Sequence, residues 1–214
     1  MILTTDRGVT LIGGGAVDPV QAAMARDRAP VVVAADGGAD AALSLGWQPA
    51  AVIGDFDSIS PAAQAAIPAE RLHRIAEQDS TDFAKCLRNL DAPFVLALGF
   101  TGPRLDHALA ALTTLCHDPR PVLLIGGEDV IFRAPRDLAL ELAPGTRVSI
   151  WPMAAVRGRS TGLHWPIDGI EMRPDGRVGT SNRATGPVRL ALDGPALVLV
   201  PVAALDAALA GLGV

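Results

Sequence analysis

Five short apolar runs, each stopping at a glycine or an acid, constrain this chain more than any other feature. Val9–Ile12 runs into Gly13-Gly14-Gly15, Pro30–Ala35 into Asp36-Gly37-Gly38, and Ala50–Ile53 into Gly54-Asp55. Pro93–Leu98 runs into Gly99, and Pro121–Ile125 into Gly126-Gly127. None alternates with polar residues, so each reads as a strand buried on both faces. Helical segments lie between them: Asp18–Arg28, Ala39–Leu45, Ser60–Ala66, Thr81–Leu90, and a stretch carrying Leu105, Leu109, Leu112 and Cys116 at helical spacing. Ser60-Pro61 is a cap followed by proline at the first helical position. Strand–helix alternation of this kind predicts a mostly parallel sheet with helices on both faces.

After about residue 133 the pattern changes. Leu138–Leu142 alternates, and Arg147–Trp151, Gly162–Ile167, Glu171–Arg173, Arg177–Thr180, Val188–Leu192 and Ala196–Val202 are short strand candidates. Pro174-Asp175-Gly176 is a turn, because proline fixes φ and glycine accepts positive φ. Short strands without helices between them predict a small β-sandwich or barrel. The tail, Ala203–Leu212, reads as a short helix. The reading is therefore α/β over 1–133 and all-β over 134–214.

Composition narrows the function classes. Half of the 214 residues are apolar, so the chain can bury a sizeable core. Eighteen Lys and Arg against 23 Asp and Glu leave a net charge of −5, which argues against a general grip on nucleic acid or anionic membrane. Cys86 and Cys116 form no CxxC pair and read as buried, reduced thiols. The start lacks the basic and long apolar regions of a secretory signal, and the apolar stretch Pro195–Leu205 is too short to span a membrane. These features predict a soluble, cytoplasmic protein.

Ligands of open parallel sheets bind at the carboxyl ends of the strands. Acids and glycines recur at those ends here. In Gly54-Asp55-Phe56-Asp57-Ser58, two carboxylates at i and i+2 of an extended chain point the same way and suit a hard cation such as Mg²⁺. The alternative is a turn with two solvated acids. In Gln78-Asp79-Ser80-Thr81-Asp82, Asp79 or Ser80 caps the next helix, and Asp82 is either a first-turn acid or a third carboxylate for the same metal. In Gly99-Phe100-Thr101-Gly102-Pro103-Arg104-Leu105-Asp106-His107, the glycines allow close approach to a phosphate and Arg104 offers a fork for its oxygens. Asp106 either holds Arg104, binds a metal-bound water or contacts a substrate hydroxyl. His107 is a packed or capping residue or a catalyst. Gly13-Gly14-Gly15 hints at nucleotide binding, but Asp18 replaces the third glycine of GxGxxG. The one lysine, Lys85, sits inside a helix, so there is no P-loop. Trp47, Trp151 and Trp165 read as core residues. His73, His117 and His164 show no metal-ligand spacing.

Taken in order, Ala35-Asp36-Gly37-Gly38-Ala39, Ile53–Ile59, Asp79-Ser80-Thr81-Asp82, Gly99–His107, Gly162-Leu163 and Ser181-Asn182 resemble the thiamine pyrophosphokinase family over nearly the whole chain. The resemblance implies a Rossmann-like N-terminal α/β domain that binds ATP and metal, a C-terminal β-sandwich that binds thiamine, and a homodimer with the active site at the subunit interface. It implies an enzyme that moves a diphosphoryl group from ATP to the hydroxyethyl group of thiamine, releasing AMP. Asp55, Asp57 and Asp82 look like Mg²⁺ ligands, with Asp36 beside them. Gln78 and Thr81 look like substrate-pocket positions. Gly37, Gly102, Arg104, Asp106 and His107 look like ATP-site residues, and Ser181 with Asn182 like thiamine contacts. Asp36, Asp82 or Asp106 would take the hydroxyl proton. Gly162-Leu163-His164-Trp165 departs from the Lys-Tyr-type pair more usual at that place. The nearest alternatives are a diphosphokinase for another alcohol, such as a hydroxymethylpterin, and a silent nucleotide- or thiamine-binding module.

Overall fold

The structure, a computed structural model, describes residues 1–102 and 104–214. It divides into two compact units, residues 1–114 with 124–126, and residues 115–123 with 127–214.

The first unit holds β1 (Leu3–Thr4), β2 (Val9–Ile12), α1 (Pro19–Arg28), β3 (Val31–Ala35), α2 (Gly38–Ser44), β4 (Ala51–Gly54), α3 (Pro61–Ala66), β5 (Leu72–Arg74), α4 (Asp82–Asn89), β6 (Leu90–Asp91) and β7 (Val95–Leu98). The division between the units cuts α5 (Leu105–His117) and β8 (Val122–Gly126). The strands β7-β2-β3-β4-β5 pair in that order, all parallel. Each of β2, β4 and β7 is buried at every residue, which is why no polar alternation marks them. α1 is capped by the Asp18 carboxylate, which accepts from Val20 and Gln21 N–H. Ser60 caps α3 by accepting from Ala63 N–H, with Pro61 in the first helical position as expected. Ala34, Ala39, Val52, Ile59, Ala63 and Ile67 close one apolar cluster over β3 and β4.

The second unit holds β9 (Asp129–Arg133), β10 (Asp137–Leu140), β11 (Arg147–Pro152), β12 (Val156–Leu163), β13 (Glu171–Met172), β14 (Gly179–Asp193), β15 (Ala196–Pro201) and α6 (Leu205–Gly211). Its pairing is antiparallel throughout: β9 with β15, β15 with β11, β11 with β14, and β14 also with β10 and β12. Over the whole chain the strand pairing is therefore mixed, parallel first and antiparallel afterwards.

Several local expectations change. The predicted strands Arg177–Thr180 and Val188–Leu192 are stretches around and within one fifteen-residue strand, β14, whose inward positions include Ala184, Val188, Leu190 and Leu192. The strand expected at Gly162–Ile167 lies earlier, as β12, and the chain bends after Leu163. Trp47 is buried, but Trp165 is 55% exposed and Trp151 37% exposed, so neither is a core residue. Cys86 and Cys116 are buried and free, and burial pushes both thiols up and away from reactivity. Among the described residues no helix is long and apolar enough to cross a membrane.

Candidate functional site

The parallel order places β2 between β3, which follows it in the chain, and β7, which comes much later. That is a topological switch point, the kind of place at which open α/β sheets take their ligands. Both loops are glycine-rich for a visible reason. A Cβ on Gly13 or Gly15 would come 2.7 Å from the Gly99 carbonyl, and Gly15 N–H donates to that carbonyl at 2.9 Å. Next along, Gly14 faces Gly37, and Gly37 faces Ser58. Close backbone approach thus runs from the loop after β7 to the loop after β4. Pro103, inside the 99–107 motif, lies outside the described residues.

The acids gather at the other end of this line. Asp36 follows β3 in the left-handed region, φ +44°, which Asp tolerates better than most residues. It is 2% exposed, and its carboxylate accepts from Ile59 N–H at 2.9 Å and Ser58 N–H at 3.4 Å. Asp55 and Asp57 follow β4, but not in an extended chain. Phe56 between them adopts φ +66°, so the segment turns, and Asp57 N–H donates back to Asp55 Oδ1 at 3.3 Å. The two carboxylates still converge: one oxygen each of Asp36, Asp55 and Asp57 lies within 4.8 Å of the others. Three acids this close repel one another unless a proton or a cation intervenes. These donors are hard oxygens, so they fit Mg²⁺.

The charges show how the strain is shared. Burial lifts the Asp36 carboxyl from 3.8 to about 6, with Asp55 and Asp82 adding to the rise. Burial pushes Asp55 up as well, but hydrogen bonds from Gln78, the Asp57 N–H and Lys85, together with one shared with Asp36, outweigh it and hold Asp55 at about 2. Gln78 Nε2 lies 2.7 Å from Asp55 Oδ2, so this predicted pocket residue does reach the cluster. Asp82 does not belong to the close trio. Its Oδ1 pairs with Lys85 Nζ at 3.0 Å, and the same ammonium reaches Asp55 Oδ2 at 3.3 Å.

Lys85 is the residue that sequence reasoning missed. Its position inside a helix excludes a P-loop, yet it faces inward and is 2% exposed. Burial lowers its ammonium's pKa, but Asp82 and Asp55 more than compensate and leave it above the ordinary lysine range. The available signal was that the chain's one lysine stands three residues after Asp82 on a helix. Arg74 at the end of β5 also touches the site, its Nε donating to the Asp55 carbonyl at 3.0 Å.

Thr81, rather than Asp79 or Ser80, caps α4, since its hydroxyl accepts from Ala84 N–H at 3.2 Å. Ser80 instead donates to Glu77 at 2.6 Å and accepts from Arg88 at 2.9 Å. Arg104 and Asp106 hold each other by two contacts, 3.2 and 2.6 Å, and both are exposed. That pair keeps the Asp106 carboxyl at about 2. His107 is exposed on the first turn of α5.

Ser181 and Asn182 belong to the second unit. Opposite Ser149 of β11 the strand β14 bulges, and Ser181 takes φ +60° there while its N–H donates to Ser149 Oγ at 3.1 Å. Bulges of this kind re-aim a side chain. Asn182 clamps the bend after β12: its Nδ2 donates to the Trp165 carbonyl at 2.7 Å and its Oδ1 accepts from Trp165 N–H at 3.2 Å. Trp165 and Asn182 line a cavity of about 190 Å³ with Ile170, Met172 and Thr180. A larger cavity, about 420 Å³, lies over β10, β12 and β14, lined by Arg159, Asp168 and Arg189, and contains none of the expected site residues.

The raised Asp36 carboxyl has a consequence for stability. A group whose folded pKa lies above its ordinary value contributes stability present below that value and lost as pH rises through the folded one. In metal-free buffer, the Asp36→Asn variant should therefore gain melting temperature relative to the unaltered protein as pH rises from 4 towards and past about 6. Parallel curves in thermal melts across that window would remove Asp36 from this role.

Residues 23–123 match the family described as thiamin pyrophosphokinase, catalytic domain. Three solved structures are similar in fold. Thiamin pyrophosphokinase from Candida albicans aligns over 92% of this chain and 89% of its own, with TM-score 0.80 and 17% identity. The yeast thiamin pyrophosphokinase aligns over 94% and 89%, with TM-score 0.76 and 19% identity. That from Bacillus subtilis aligns over 91% and 98%, with TM-score 0.75 and 20% identity.

Proposed function

We propose that this chain, which belongs to the thiamin pyrophosphokinase family through its catalytic domain over residues 23–123, transfers a diphosphoryl group from ATP to the hydroxyethyl group of thiamine, giving thiamine diphosphate and AMP. The observation that carries the reading is the convergence of Asp36, Asp55 and Asp57 at the carboxyl ends of parallel strands, inside the matched segment and beside glycine loops in close backbone contact.

Transfer of this kind needs in-line positioning and charge neutralisation more than covalent help from the protein. Asp55 and Asp57 would hold Mg²⁺ with Asp36, the third carboxylate of the convergent trio, and Asp82 would join them only by leaving Lys85. When bound, the ion neutralises phosphate charge and offsets the charge that develops in the transition state. The glycine loops after β2 and β7 let the triphosphate approach backbone N–H groups, and Gly37 and Gly102 leave that path open. Arg104 would turn its fork from Asp106 to phosphate oxygens, with His107 close to it in the chain. The acidic cluster also attracts a cationic acceptor, which thiamine is. Asp36, Asp82 and Asp106 are the carboxylates proposed to take the hydroxyl proton. Asp106, held at about 2 by Arg104, is the poorest base as it stands.

The second unit is read as a small β-sandwich that completes the thiamine site in a homodimer, using Ser181 and Asn182, in a cytoplasmic enzyme. Gln78 and Thr81 would line the pocket from the first unit. The test is acceptor choice. Purified protein with ATP and Mg²⁺ should release AMP with thiamine and not with a hydroxymethylpterin. AMP release with the pterin alone would assign another acceptor. ATP binding with no AMP from either would favour a binding module.

A further inference from the structure

We propose that Arg74 binds the terminal phosphate of ATP, through the two guanidinium nitrogens that the protein leaves unused; the proposal rests on the ATP and metal reading of the acid site. Among the described residues, two cations touch Asp55. Lys85 is committed: its ammonium is buried and lies 3.3 Å from Asp55 Oδ2 and 3.0 Å from Asp82 Oδ1. Arg74 is not. Its Nε donates to the Asp55 carbonyl at 3.0 Å, and its two Nη groups have no partner among the described residues. The residue is exposed at the end of β5. The sheet fixes where its side chain starts. Arg74 pairs in register with Gly54 of β4, and Ile75 N–H donates to the Gly54 carbonyl at 2.7 Å. In-register neighbours project from the same face of a sheet. A Cβ on Gly54 would come 2.7 Å from the Asp36 Cβ, so Arg74 leaves the sheet on the face where Asp36 stands.

The strand order supplies the polarity. It runs β7-β2-β3-β4-β5. The glycine loops follow β7 and β2, and the acids follow β3 and β4. Arg74 ends β5, on the far side of the acids from the glycines. A nucleotide with its inner phosphate at the glycine loops and the middle of its chain at the acids ends beside β5. The planar fork of an arginine matches two oxygens of that last phosphate with parallel N–H donors. Arg104, the other arginine expected at the ATP site, follows β7 on the opposite side of the acids and is paired with Asp106. The two arginines therefore serve different parts of the chain. The terminal phosphate travels with the transferred diphosphoryl group, so Arg74 grips what the acceptor receives and not the AMP that leaves.

The experiment is calorimetric titration of the full chain with ATP, ADP and AMP, with Mg²⁺ and without thiamine, for the unaltered protein, Arg74→Ala and Arg74→Lys. In Arg74→Ala the dissociation constant for ATP should rise about thirtyfold, the loss expected of charge-assisted hydrogen bonds. Those for ADP and AMP, which lack that phosphate, should change by less than about threefold. Arg74→Lys keeps the charge without the fork, and its loss for ATP should be about fivefold. Mn²⁺ binding without nucleotide, followed by paramagnetic resonance, should be no weaker in either variant, because no carboxylate has been altered and no positive charge added. Circular-dichroism melts check that each variant folds, and if Arg74→Ala does not, Arg74→Lys decides. An unchanged ATP constant, or equal losses for ATP and ADP, overturns the proposal. Weaker Mn²⁺ binding alongside weaker ATP binding also overturns it and leaves Arg74 a support for the Asp55 loop. An unaltered protein that binds neither Mn²⁺ nor ATP overturns the reading beneath it.

Discussion

Asp55→Asn should lower kcat about a thousandfold while leaving the fold intact, since losing a group that organises transition-state charge typically costs several kcal/mol. The substitution keeps the side chain's shape. Its amide oxygen can still accept from Gln78 and Lys85, and Asp82 remains to pair the buried ammonium. What disappears is one of three crowded negative charges. Without metal the variant should melt below the unaltered protein at neutral pH, because a carboxyl held at about 2 stabilises the folded state there in its ionised form. With Mg²⁺ the unaltered protein should gain melting temperature, since a ligand that binds the folded state stabilises it, and the variant should gain little. Turnover within tenfold of the unaltered protein, or an equal response to Mg²⁺, would remove Asp55 from the metal site.

Gly38→Ala should be strongly damaging, at about 3 kcal/mol, the upper end for forcing extra volume into a packed site. A Cβ at this position would sit 2.0 Å from the Ile12 carbonyl oxygen, which belongs to the buried strand β2 and has no flexible end that can move aside. Either β2 or α2 must shift. That shift would also disturb Gly37, whose close approach to Ser58 brings the β3 and β4 loops together. Urea unfolding should show the lost stability, and KM for ATP should rise with it. A midpoint unchanged from the unaltered protein would mean that α2 moves at no cost. By contrast, Gly46→Ala meets no atom within 4 Å and is strained only by its positive φ of 74°.

The parallel strands were legible because burial on both faces writes itself as an uninterrupted apolar run. Val9–Ile12 is found at its expected bounds, and β3, β4, β7 and β8 lie within two residues of theirs. β5 left no such mark. It is three residues long, carries His73 and Arg74, and among the described residues pairs only with β4. In the second unit the alternation of β14 is broken by Gly186-Pro187, so one strand read as two pieces. Of β12, only Val156 and Leu163 are buried, and the positions between them carry no apolar signal.

The site divides in the same way. Asp36, Asp55 and Asp57 were legible because each follows a strand end. The turn at Phe56 was not, since a left-handed phenylalanine carries no sequence signature. Lys85 was invisible because a lysine is buried only when its partners are in place, and those partners come from the loop after β4 and the start of α4. Trp165 was misread because aromatic residues usually fill cores, whereas here its backbone is fixed by Asn182 and its ring by Arg183 and His164.

The central claim is that the β-phosphorus of ATP is attacked and that the attack depends on the acid cluster. Mass spectrometry of the products formed from ATP, Mg²⁺ and thiamine, with EDTA and thiamine-free controls, tests this directly. The predicted result is AMP and thiamine diphosphate in equal amounts, only when metal is present. ADP accompanied by thiamine monophosphate would mean attack at the γ-phosphorus, and would contradict the account.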